Sequence, residues 1–484
     1  MKDETEMKTK PNILLIVTDH WPASLLGCAG HPVIKTPTID RMAQNGIRYT
    51  NCYSTCPVCI PARRSLMTGT TPKTHGDRVY TETMSMPDIP TLAQCFRDSD
   101  YQAYGIGKLH VYPQRNRIGF DDVILAEEAR YSYHVVDDYQ IWLGENGYTG
   151  KEYMHGMGNN VYYTRPWHLP EEAHATNWTT HEAIRMIKRK DPTRPAFYYV
   201  SYVHPHPPLV PLQCYLDMYP AACIDEPFSG NWITDPVYYI RKLLHSASNY
   251  SRDDITAARR AFYALCTHID HQLRLLIGTL REEKLLENTI IIFTSDHGEM
   301  LGNFGLFQKR LFYENSANIP FIISGKPLES DCGITDDRLT CLEDIMPTLL
   351  DLCDIEIPRS VEGISAVADT KRQILYGEIN ENSDATRMIH NGRYKLIYYP
   401  AGNYIQIFDI INDHNERNNL FNKPEVAEIQ RELTQSLISY LYKDDENWVE
   451  NNELVGLPEK EFIPKPDYNF SSQRGGHWPP PIGN

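Results

Sequence analysis

The sequence predicts an α/β fold: a large, mostly parallel sheet sandwiched by helices, followed by a smaller C-terminal α+β domain with an antiparallel sheet. Three observations predict it. Four short apolar segments have the continuous β-branched or aromatic character of strands that are buried on both faces. Helical patterns lie between these segments, and from about residue 374 the pattern changes to alternating strands.

The buried strands are predicted, in chain order, at residues 13–17, around 101–106, at 197–200 and at 290–293. After the first strand, Thr36 and Pro37 open a helix that Gly46 is expected to end, because Pro favours the first helical turn and Gly favours a helix end. A long helix begins near Ser251 and carries an apolar stripe along one face before the fourth strand.

The C-terminal region predicts a hairpin, since strands at 388–390 and 394–399 flank Asn391-Gly392. A further strand is expected at 406–408 and a helix over 426–442. The predicted domains are a large α/β domain at 1–370, an antiparallel-sheet domain at 371–463 and a Pro/Gly-rich tail at 464–484. The tail cannot form a regular element; it is either free or an arm on a neighbouring subunit of a homo-oligomer.

Composition excludes several classes of function. The 484 residues carry 47 Lys and Arg against 63 Asp and Glu, which gives a formal net charge of −16. Such a surface repels phosphate backbones and anionic lipids, so neither nucleic acid nor a membrane is an expected partner. No apolar run approaches the roughly 20 residues of a membrane helix. The 11 cysteines are an odd number and the N-terminus is charged, so we expect a reduced, cytoplasmic protein.

Polar residues follow each predicted buried strand. They are Asp19-His20 after the first, Lys108 and His110 after the second, His204 and His206 after the third, and Asp296-His297 after the fourth. In an open parallel sheet, ligands bind in the crevice beyond the carboxyl ends of the strands. Each residue alone is typical of a turn or a satisfied buried group, but their joint recurrence predicts a shared site.

Residues 59–69 predict a loop that feeds a short helix, with Pro61 in its first turn and Gly69 at its end. Cys59 then lies at the helix N-terminus, where unpaired amides and the helix dipole favour an anion. Arg63 adds positive charge one turn along. The alternative interpretation is a buried structural cysteine.

The segment from Cys59 to Gly69 resembles the signature of the formylglycine-dependent (type I) sulfatases of the alkaline phosphatase superfamily, Cys-x-Pro-Ser/Ala-Arg-x-x-Leu-x-Thr-Gly. Gly107-Lys108-Leu109-His110 is similar to the end of that family's second signature. Further segments match in the same order, at 11–19, 36–40, 45–49, 205–208, 295–299 and 309–314. The resemblance covers nearly the whole chain.

This resemblance implies a large mixed, mostly parallel sheet and a hydrolase that releases inorganic sulfate from an organic sulfate ester, such as a sulfated sugar or an aryl or steroid sulfate. In the family a maturation enzyme oxidises the signature cysteine, so Cys59 is expected to become formylglycine and to hydrate to a diol. One diol oxygen then attacks sulfur, and the second hydroxyl expels sulfate by reforming the aldehyde.

The resemblance also implies a metal site. Asp19, Asp296, His297 and the diol oxygen of residue 59 would hold one divalent cation. His20 stands where many members carry a second carboxylate, which leaves open whether it is a ligand or only lies beside the ligands. Ca²⁺ is expected, with Mn²⁺ or Mg²⁺ as alternatives, and Mn²⁺ is favoured if both histidines bind.

The remaining site residues take their roles from the same resemblance. Arg63 and Lys108 would orient the diol and the sulfate oxygens. His110 would be the base that deprotonates the second hydroxyl. His206 and Lys309 would bind the bridging oxygen and protonate the leaving group. In contrast, Arg64 is expected on the helix surface, and Glu299 is expected to cap a helix.

Two rival functions stay open. Related proteins of the superfamily hydrolyse phosphonate monoesters or phosphodiesters with a similar site, because the tetrahedral anions are alike. A non-catalytic anion-binding protein, in which Cys59 stays a thiol, is the rival of a different class. The aromatic-rich segment 131–178, which includes Trp167, is either a specificity loop above the crevice or a packed structural insertion.

Overall fold

A computed structural model describes residues 10–128, 135–247, 250–325, 327–328 and 332–463. Eight strands form one sheet in the order β4-β3-β5-β1-β6-β7-β2-β8. They are β1 (Asn12–Thr18), β2 (Gly46–Tyr53), β3 (Gln102–Gly107), β4 (Asp122–Leu125), β5 (Ala196–Ser201), β6 (Thr289–Ser295), β7 (Phe321–Ser324) and β8 (Ile334–Cys341). Only β7 runs antiparallel to its neighbours among these strands. The predicted mixed, mostly parallel sheet is confirmed.

Helices cover both faces of this sheet. They are α1 (Pro37–Gln44), α2 (Cys59–Thr68), α3 (Pro72–His75), α4 (Leu92–Asp98), α5 (Asp138–Glu145), α6 (Ala175–Lys188), α7 (Gln213–Leu216), α8 (Tyr238–Ala247), α9 (Arg252–Glu282), α10 (Glu314–Ala317) and α11 (Ile345–Leu352). Successive strand residues point to opposite faces. Leu14 and Ile16 therefore pack in one core with α1, α6 and α9, while Ile13 and Leu15 pack in another with α2, α4 and α11.

The four buried strands of the prediction are β1, β3, β5 and β6, and the long helix is α9, which Ser251 caps together with Asp254. The prediction for Gly46 was wrong. Asn45 ends α1, and Gly46 begins β2, where a Cβ would lie 2.0 Å from the carbonyl oxygen of Ile323 in β7. Glycine is required there by the close approach of two strands, not by a helix end.

A four-stranded antiparallel sheet follows, in the order β12-β11-β10-β9. Its strands are β9 (Leu375–Ile379), β10 (Thr386–His390), β11 (Tyr394–Tyr399) and β12 (Tyr404–Asp409). The helix α12 (Ala427–Tyr440) packs on this sheet. A last antiparallel pair is formed by β13 (Val449–Glu450) and β14 (Glu453–Leu454). The Asn391-Gly392 hairpin is confirmed, since β10 and β11 pair across it. The predicted tail at 464–484 lies outside the described residues.

A buried ion group joins the smaller sheet to the larger domain. The Lys395 ammonium on β11 donates to Glu314 Oε1 at 2.6 Å and lies 2.7 Å from Glu416 Oε1. Glu314 begins α10, directly after the loop that carries Lys309. A fully buried lysine requires such paired carboxylates, so this contact fixes one end of the Lys309 loop. Among the described helices, none combines the length and the apolar character needed to cross a bilayer.

Candidate active site

The carboxyl ends of β1, β3 and β6 meet the N-terminus of α2 at one edge of the large sheet. β1 delivers Asp19, β3 delivers Lys108, β6 delivers Asp296 and His297, and α2 begins at Cys59. All of these side chains are buried. Residues as far apart in the chain as Asp19 and His297 thus share one charged pocket, as the crevice rule for parallel sheets requires.

Donor atoms of three other residues lie close to the Asp19 carboxylate. Its Oδ1 lies 3.5 Å from His297 Nε2, 3.6 Å from His20 Nε2 and 3.7 Å from Cys59 Sγ. Cys59 Sγ is in turn 3.2 Å from His297 Nε2. These four residues form a group whose ligand atoms all lie within 4.8 Å of one another. Asp296 flanks the group, with its Oδ1 3.7 Å from His297 Nε2.

The hydrogen bonds of His297 fix its tautomer. Its Nδ1 lies 3.0 Å from the carbonyl oxygen of Gly298, which can only accept, so Nδ1 carries the proton. The lone pair of Nε2 then faces Asp19 and Cys59. Burial lowers the pKa of His297 well below its ordinary value, so the ring is neutral. A neutral imidazole oriented by its other nitrogen is the form that binds a metal ion.

Arg63 and Asp296 form a buried pair. Arg63 Nε donates to Asp296 Oδ2 at 2.9 Å, and its Nη1 donates to the Lys108 carbonyl, the Tyr199 hydroxyl and Ser201 Oγ. Within the described residues its Nη2 has no hydrogen-bond partner. Burial, and then the charge of Asp19, raise the pKa of Asp296 to about 7. A guanidinium nitrogen without a hydrogen-bond partner, beside a carboxylate of raised pKa, indicates a site built for a further charged group.

Lys108 lies between two carboxylates. Its ammonium donates to Asp19 Oδ2 and to Glu128 Oε1. Burial would raise the pKa of Asp19, yet the ammonium of Lys108 and the neighbouring imidazoles together outweigh burial and hold this pKa well below its usual range. Asp19 is therefore ionised at neutral pH and offers a hard oxygen donor. Sequence analysis did not identify Glu128, because it follows a four-residue edge strand that the pattern did not reveal.

The donor set fits a divalent cation. Asp19 supplies an ionised carboxylate, Asp296 a second carboxylate whose ionisation a cation would restore, and His297 an imidazole lone pair. Residue 59 lies against Asp19 and His297, with Cys59 Sγ 3.7 Å from Asp19 Oδ1 and 3.2 Å from His297 Nε2. Carboxylate oxygens with one imidazole are a typical coordination set for a divalent ion.

Cys59 is poorly suited to act as a thiolate. Although it begins α2, where the helix dipole favours an anion, burial raises the pKa of its thiol to about 12, and the charge of Asp19 adds to the effect. The thiol is thus protonated at neutral pH. Because the thiolate is the nucleophilic form of cysteine, the unmodified side chain is inert in this place.

His20 and Lys309 form a second cluster beside the first. Lys309 Nζ donates to His20 Nε2 at 2.8 Å and to Asn160 Oδ1 at 3.0 Å, and lies 3.5 Å from His206 Nε2. His206 uses its Nδ1–H to donate to the Pro207 carbonyl at 2.5 Å. The structure therefore brings His20, His206 and Lys309 together, on the side of the site that faces residue 160.

Two residues differ from their predictions. Glu299 does not cap a helix; it is fully buried and binds His20 Nδ1 at 2.7 Å and the Tyr162 hydroxyl at 2.6 Å. Arg64 is not on the surface. It is 4% exposed and donates to the carbonyl oxygens of His75 and Ser85. Both misinterpretations arose because sequence neighbours do not reveal a partner that is far away in the chain.

His110 lies in the loop after β3 and is buried. Its backbone is left-handed, with φ of 61°, and its N–H donates to Glu127 Oε1 at 2.9 Å. Its ring packs edge-on against Tyr80, with the centroids 6.3 Å apart. The Glu127 carboxylate accepts the backbone N–H of His110 and thus fixes the position of His110 relative to Lys108.

The aromatic-rich segment contributes both to packing and to the site. Residues 131–134 lie outside the described residues. Trp178 packs in a small core beside Tyr139, and Trp167 donates from Nε1 to the Pro170 carbonyl. Asn160 and Tyr162, from the same segment, reach Lys309 and Glu299. Part of the segment is therefore a packed insertion, and part lines the cluster around Lys309.

Comparisons with known proteins place the chain among sulfatases. Residues 11–355 match the family model described as Sulfatase, and residues 302–443 match the model described as N-sulphoglucosamine sulphohydrolase, C-terminal. The chain is 35% identical to an arylsulfatase of Clostridium perfringens (strain 13 / Type A), over 93% of this chain and 98% of that protein.

Two solved structures share the fold. The phosphonate monoester hydrolase of Agrobacterium radiobacter has a TM-score of 0.76 at 22% identity, over 89% of this chain and 95% of that one. A protein solved in complex with its substrate D-glucosamine-2-N,6-O-disulfate has a TM-score of 0.71 at 22% identity, over 89% of this chain and 97% of that one. At this identity they show the architecture alone.

A group of neutral histidines lies behind His206. The rings of His204 and His268 each lie 4.8 Å from the ring of His174, and His204 Nδ1 lies 3.2 Å from the His206 carbonyl. Within the described residues, neither ring nitrogen of His268 has a hydrogen-bond partner. Burial lowers the pKa of His268 to about 3. The packing of this group therefore depends on its members being uncharged.

We predict that His268→Phe makes the protein less sensitive to acid. In the unfolded chain histidine binds a proton near pH 6.5, whereas folded His268 does not until about pH 3, so its contribution to stability falls as the pH falls between these values. Phe keeps the stacking on Tyr215, 4.6 Å away. The stability lost between pH 7 and pH 5 should shrink by about 2 kcal/mol in urea titrations.

The matched control is His181→Gln at an exposed position of α6, which should leave the acid sensitivity unchanged. An identical loss of stability in wild type and His268→Phe between pH 7 and pH 5 would contradict the assignment of a neutral buried His268.

Proposed function

The chain belongs to the formylglycine-dependent sulfatase family of the alkaline phosphatase superfamily, and from this premise we propose which of its residues perform sulfate ester hydrolysis. It is a hydrolase that acts on sulfate esters. The family generally uses a divalent metal and a modified cysteine. The observation that carries the proposal is the place of Cys59: at the start of α2, buried between Asp19 and His297.

Cys59 is the proposed site of conversion to formylglycine. Its thiol is protonated, and so the unmodified residue offers no effective nucleophile at the centre of the site. The hydrate of formylglycine supplies the hydroxyl that attacks sulfur. This proposal requires a maturation enzyme as a partner, and it requires the segment around residue 59 to be accessible to that enzyme before folding closes over it, since Cys59 is only 2% exposed in the folded chain.

Asp19, Asp296 and His297 would hold the divalent cation, with residue 59 beside them. When bound, the cation supplies positive charge that neutralises the sulfate oxygens and favours ionisation of the nucleophile. Sequence analysis favoured Ca²⁺, which prefers an all-oxygen set. Because His297 supplies the single imidazole of this set, with the lone pair of its Nε2 facing the donor oxygens, Ca²⁺ stays the proposed ion and Mn²⁺ the alternative.

Arg63 and Lys108 are proposed to bind the sulfate oxygens and to orient residue 59. The unpartnered Nη2 of Arg63 provides one N–H for an incoming oxygen, while its other nitrogens are held by four acceptors. Lys108 keeps its charge because Asp19 and Glu128 flank it. Donors that are fixed before the substrate arrives stabilise developing negative charge without reorganisation.

Lys309 is the proposed proton donor to the leaving alcohol, with His206 beside it. Because His206 Nδ1–H is already used by Pro207, His206 Nε2 is an acceptor and orients the Lys309 ammonium. His110 is proposed to take the proton of the second hydroxyl at an imidazole nitrogen. The carboxylate of Glu127 fixes the backbone of that histidine.

The proposed substrates are aryl sulfates or sulfated sugars. The 35% identity to an arylsulfatase over almost the full length of both proteins supports an aromatic alcohol. The likeness in fold to the protein bound to a disulfated glucosamine supports a sugar as the alternative. A ring in either alcohol suits the aromatic side chains of the segment that borders Lys309.

A second candidate is a phosphonate monoester or phosphodiester hydrolase. The paired Asp296 and His297, together with the fold shared with a phosphonate monoester hydrolase, favour this alternative. The two functions are separated by comparing the turnover of 4-nitrophenyl sulfate with that of 4-nitrophenyl phenylphosphonate by the matured, metal-loaded enzyme.

We predict that kcat/KM for the sulfate exceeds that for the phosphonate by at least about 10-fold, since both esters are monoanions but only the sulfate presents three terminal oxygens to the charged donors, one of which the phosphonate replaces with a phenyl group. The released 4-nitrophenolate is measured for both esters. Faster turnover of the phosphonate would contradict the sulfatase assignment and favour the second candidate.

We predict that Cys59 from the native host loses its sulfur and carries an aldehyde. Mass spectrometry of the peptide that contains residue 59 should show oxygen in place of sulfur, and Cys59→Ala should lower kcat by about 10³-fold or more. The control is Cys56→Ala, which removes a buried cysteine three positions earlier and should retain activity. Full activity in protein whose every copy keeps the Cys59 sulfur would refute a formylglycine mechanism.

A further inference from the structure

We infer that His20, Glu299 and Tyr162 form a hydrogen-bonded chain that positions the Lys309 ammonium for proton transfer to the leaving alcohol. His20 then acts through Lys309 and is not a metal ligand. This inference rests on the proposed function, because it assigns a purpose to the residues around its proton donor. The three are positioning residues, since each acts on substrate only through Lys309.

The contacts of Lys309 hold two of its N–H groups closely and the third only weakly, which leaves that third N–H for substrate. An ammonium has three N–H groups. One donates to His20 Nε2 at 2.8 Å and another to Asn160 Oδ1 at 3.0 Å. His206 Nε2, at 3.5 Å, marks the direction of the third. Because Lys309 is 6% exposed, these acceptors replace water as its partners and set the orientation of the remaining proton.

His20 can accept from Lys309 only as one tautomer. Its Nδ1 lies 2.7 Å from Glu299 Oε2, so a proton on Nδ1 points at the carboxylate and leaves the Nε2 lone pair for Lys309. The Asp19 Oδ1 atom is farther from Nε2, at 3.6 Å. A lone pair already engaged by an ammonium cannot also bind a cation. His20 therefore belongs to the cluster of Lys309, although it lies at the edge of the metal group.

Glu299 is held from four sides. Its Oε2 accepts from His20 Nδ1 and from the Tyr162 hydroxyl, and its Oε1 accepts from the backbone N–H groups of Leu301 and Gln308. The Gln308 contact, at 2.6 Å, is next to Lys309 in the chain. One carboxylate thus fixes both the imidazole that Lys309 touches and the backbone from which Lys309 extends.

The proposed step transfers a proton from Lys309 to the bridging oxygen of the ester as that oxygen leaves sulfur. A hydroxyl oxygen of the hydrated residue 59 forms a bond to sulfur while the bond between sulfur and the bridging oxygen breaks, and the electron pair of the broken bond stays on the bridging oxygen. A proton moves from Lys309 Nζ to the same oxygen and yields the neutral alcohol, after which water restores the proton on Nζ. Protonation matters most when the alcohol is a poor leaving group. Loss of the chain should therefore slow esters of weakly acidic alcohols more than esters of acidic ones.

The test compares 4-nitrophenyl sulfate with phenyl sulfate. Glu299→Gln keeps an oxygen for Leu301 and Gln308 but places an NH₂ group where His20 and Tyr162 need an acceptor. We expect kcat to fall by about 10²-fold for phenyl sulfate and by less than about 10-fold for the 4-nitrophenyl ester, with both KM values within about 2-fold of wild type. Equal losses for both esters, or losses confined to KM, would overturn the inference.

Tyr162→Phe gives a milder variant that keeps the ring packed on Phe307, 4.4 Å away. It should shift the ratio between the two esters in the same direction by about 3-fold, because one of two donors to Glu299 Oε2 is lost. Tyr398→Phe removes another buried hydroxyl, which donates to Asn403 in the smaller sheet, and should leave the ratio unchanged. An unchanged ratio in Tyr162→Phe would contradict a role for its hydroxyl.

The second part of the inference, that His20 is not a metal ligand, is tested by measuring the metal content of variants, which needs no substrate. His20 has φ of 72°, a conformation that Asn tolerates, so His20→Asn is the variant of choice. It should retain the metal of the wild type, whereas Asp19→Asn should lose it. Loss of metal from His20→Asn would overturn the inference. If wild-type enzyme hydrolyses neither ester, the proposed function fails, and the metal content still decides whether His20 is a ligand.

Discussion

The structure depends on how buried charge is balanced at the carboxyl edge of the large sheet. Asp19 and Asp296 are fully buried, and each is held by a buried cation, Lys108 or Arg63. The pairing is incomplete, because the pKa of Asp296 is raised to about 7 and Arg63 Nη2, 3.8 Å from Asp19 Oδ2, has no hydrogen-bond partner among the described residues. A divalent cation and a tetrahedral oxyanion are the charges that would complete it. Residue 59 lies beside the same atoms. The place that would bind these two charges is therefore also the place suited to a reaction.

The rest of the fold holds these charged side chains in fixed positions relative to one another. Parallel strands bring the ends of β1, β3 and β6 to one edge, and helices on both faces bury the strands completely. The smaller sheet stabilises the site indirectly, because Lys395 binds Glu314 at the end of the loop that carries Lys309. Residue 59 and Lys309, the proposed nucleophile and proton donor, therefore stand on separate elements that are each anchored by buried ion pairs, which restricts their relative motion.

The sequence predicted the parts of this protein that depend on local pattern. The strands β1, β3, β5 and β6 are continuous apolar runs, and polar residues follow them. It did not predict β8, whose Asp336, Asp337 and Arg338 resemble a loop, nor β7, which has only four residues. The partners of Glu299 could not be predicted either, because Tyr162 and His20 lie 137 and 279 positions away. Hydrogen bonds over such separations leave no periodicity in the chain.

In the proposed active enzyme one cation lies between Asp19, Asp296 and His297, next to residue 59, and His20 does not bind it. Anomalous diffraction from crystals of the Mn²⁺-loaded protein tests this most directly. We predict one strong peak within bonding distance of Asp19, Asp296 and His297 Nε2, with His20 Nε2 still bonded to Lys309. No peak at this place, or a peak coordinated by His20 instead of Asp296, would contradict the account.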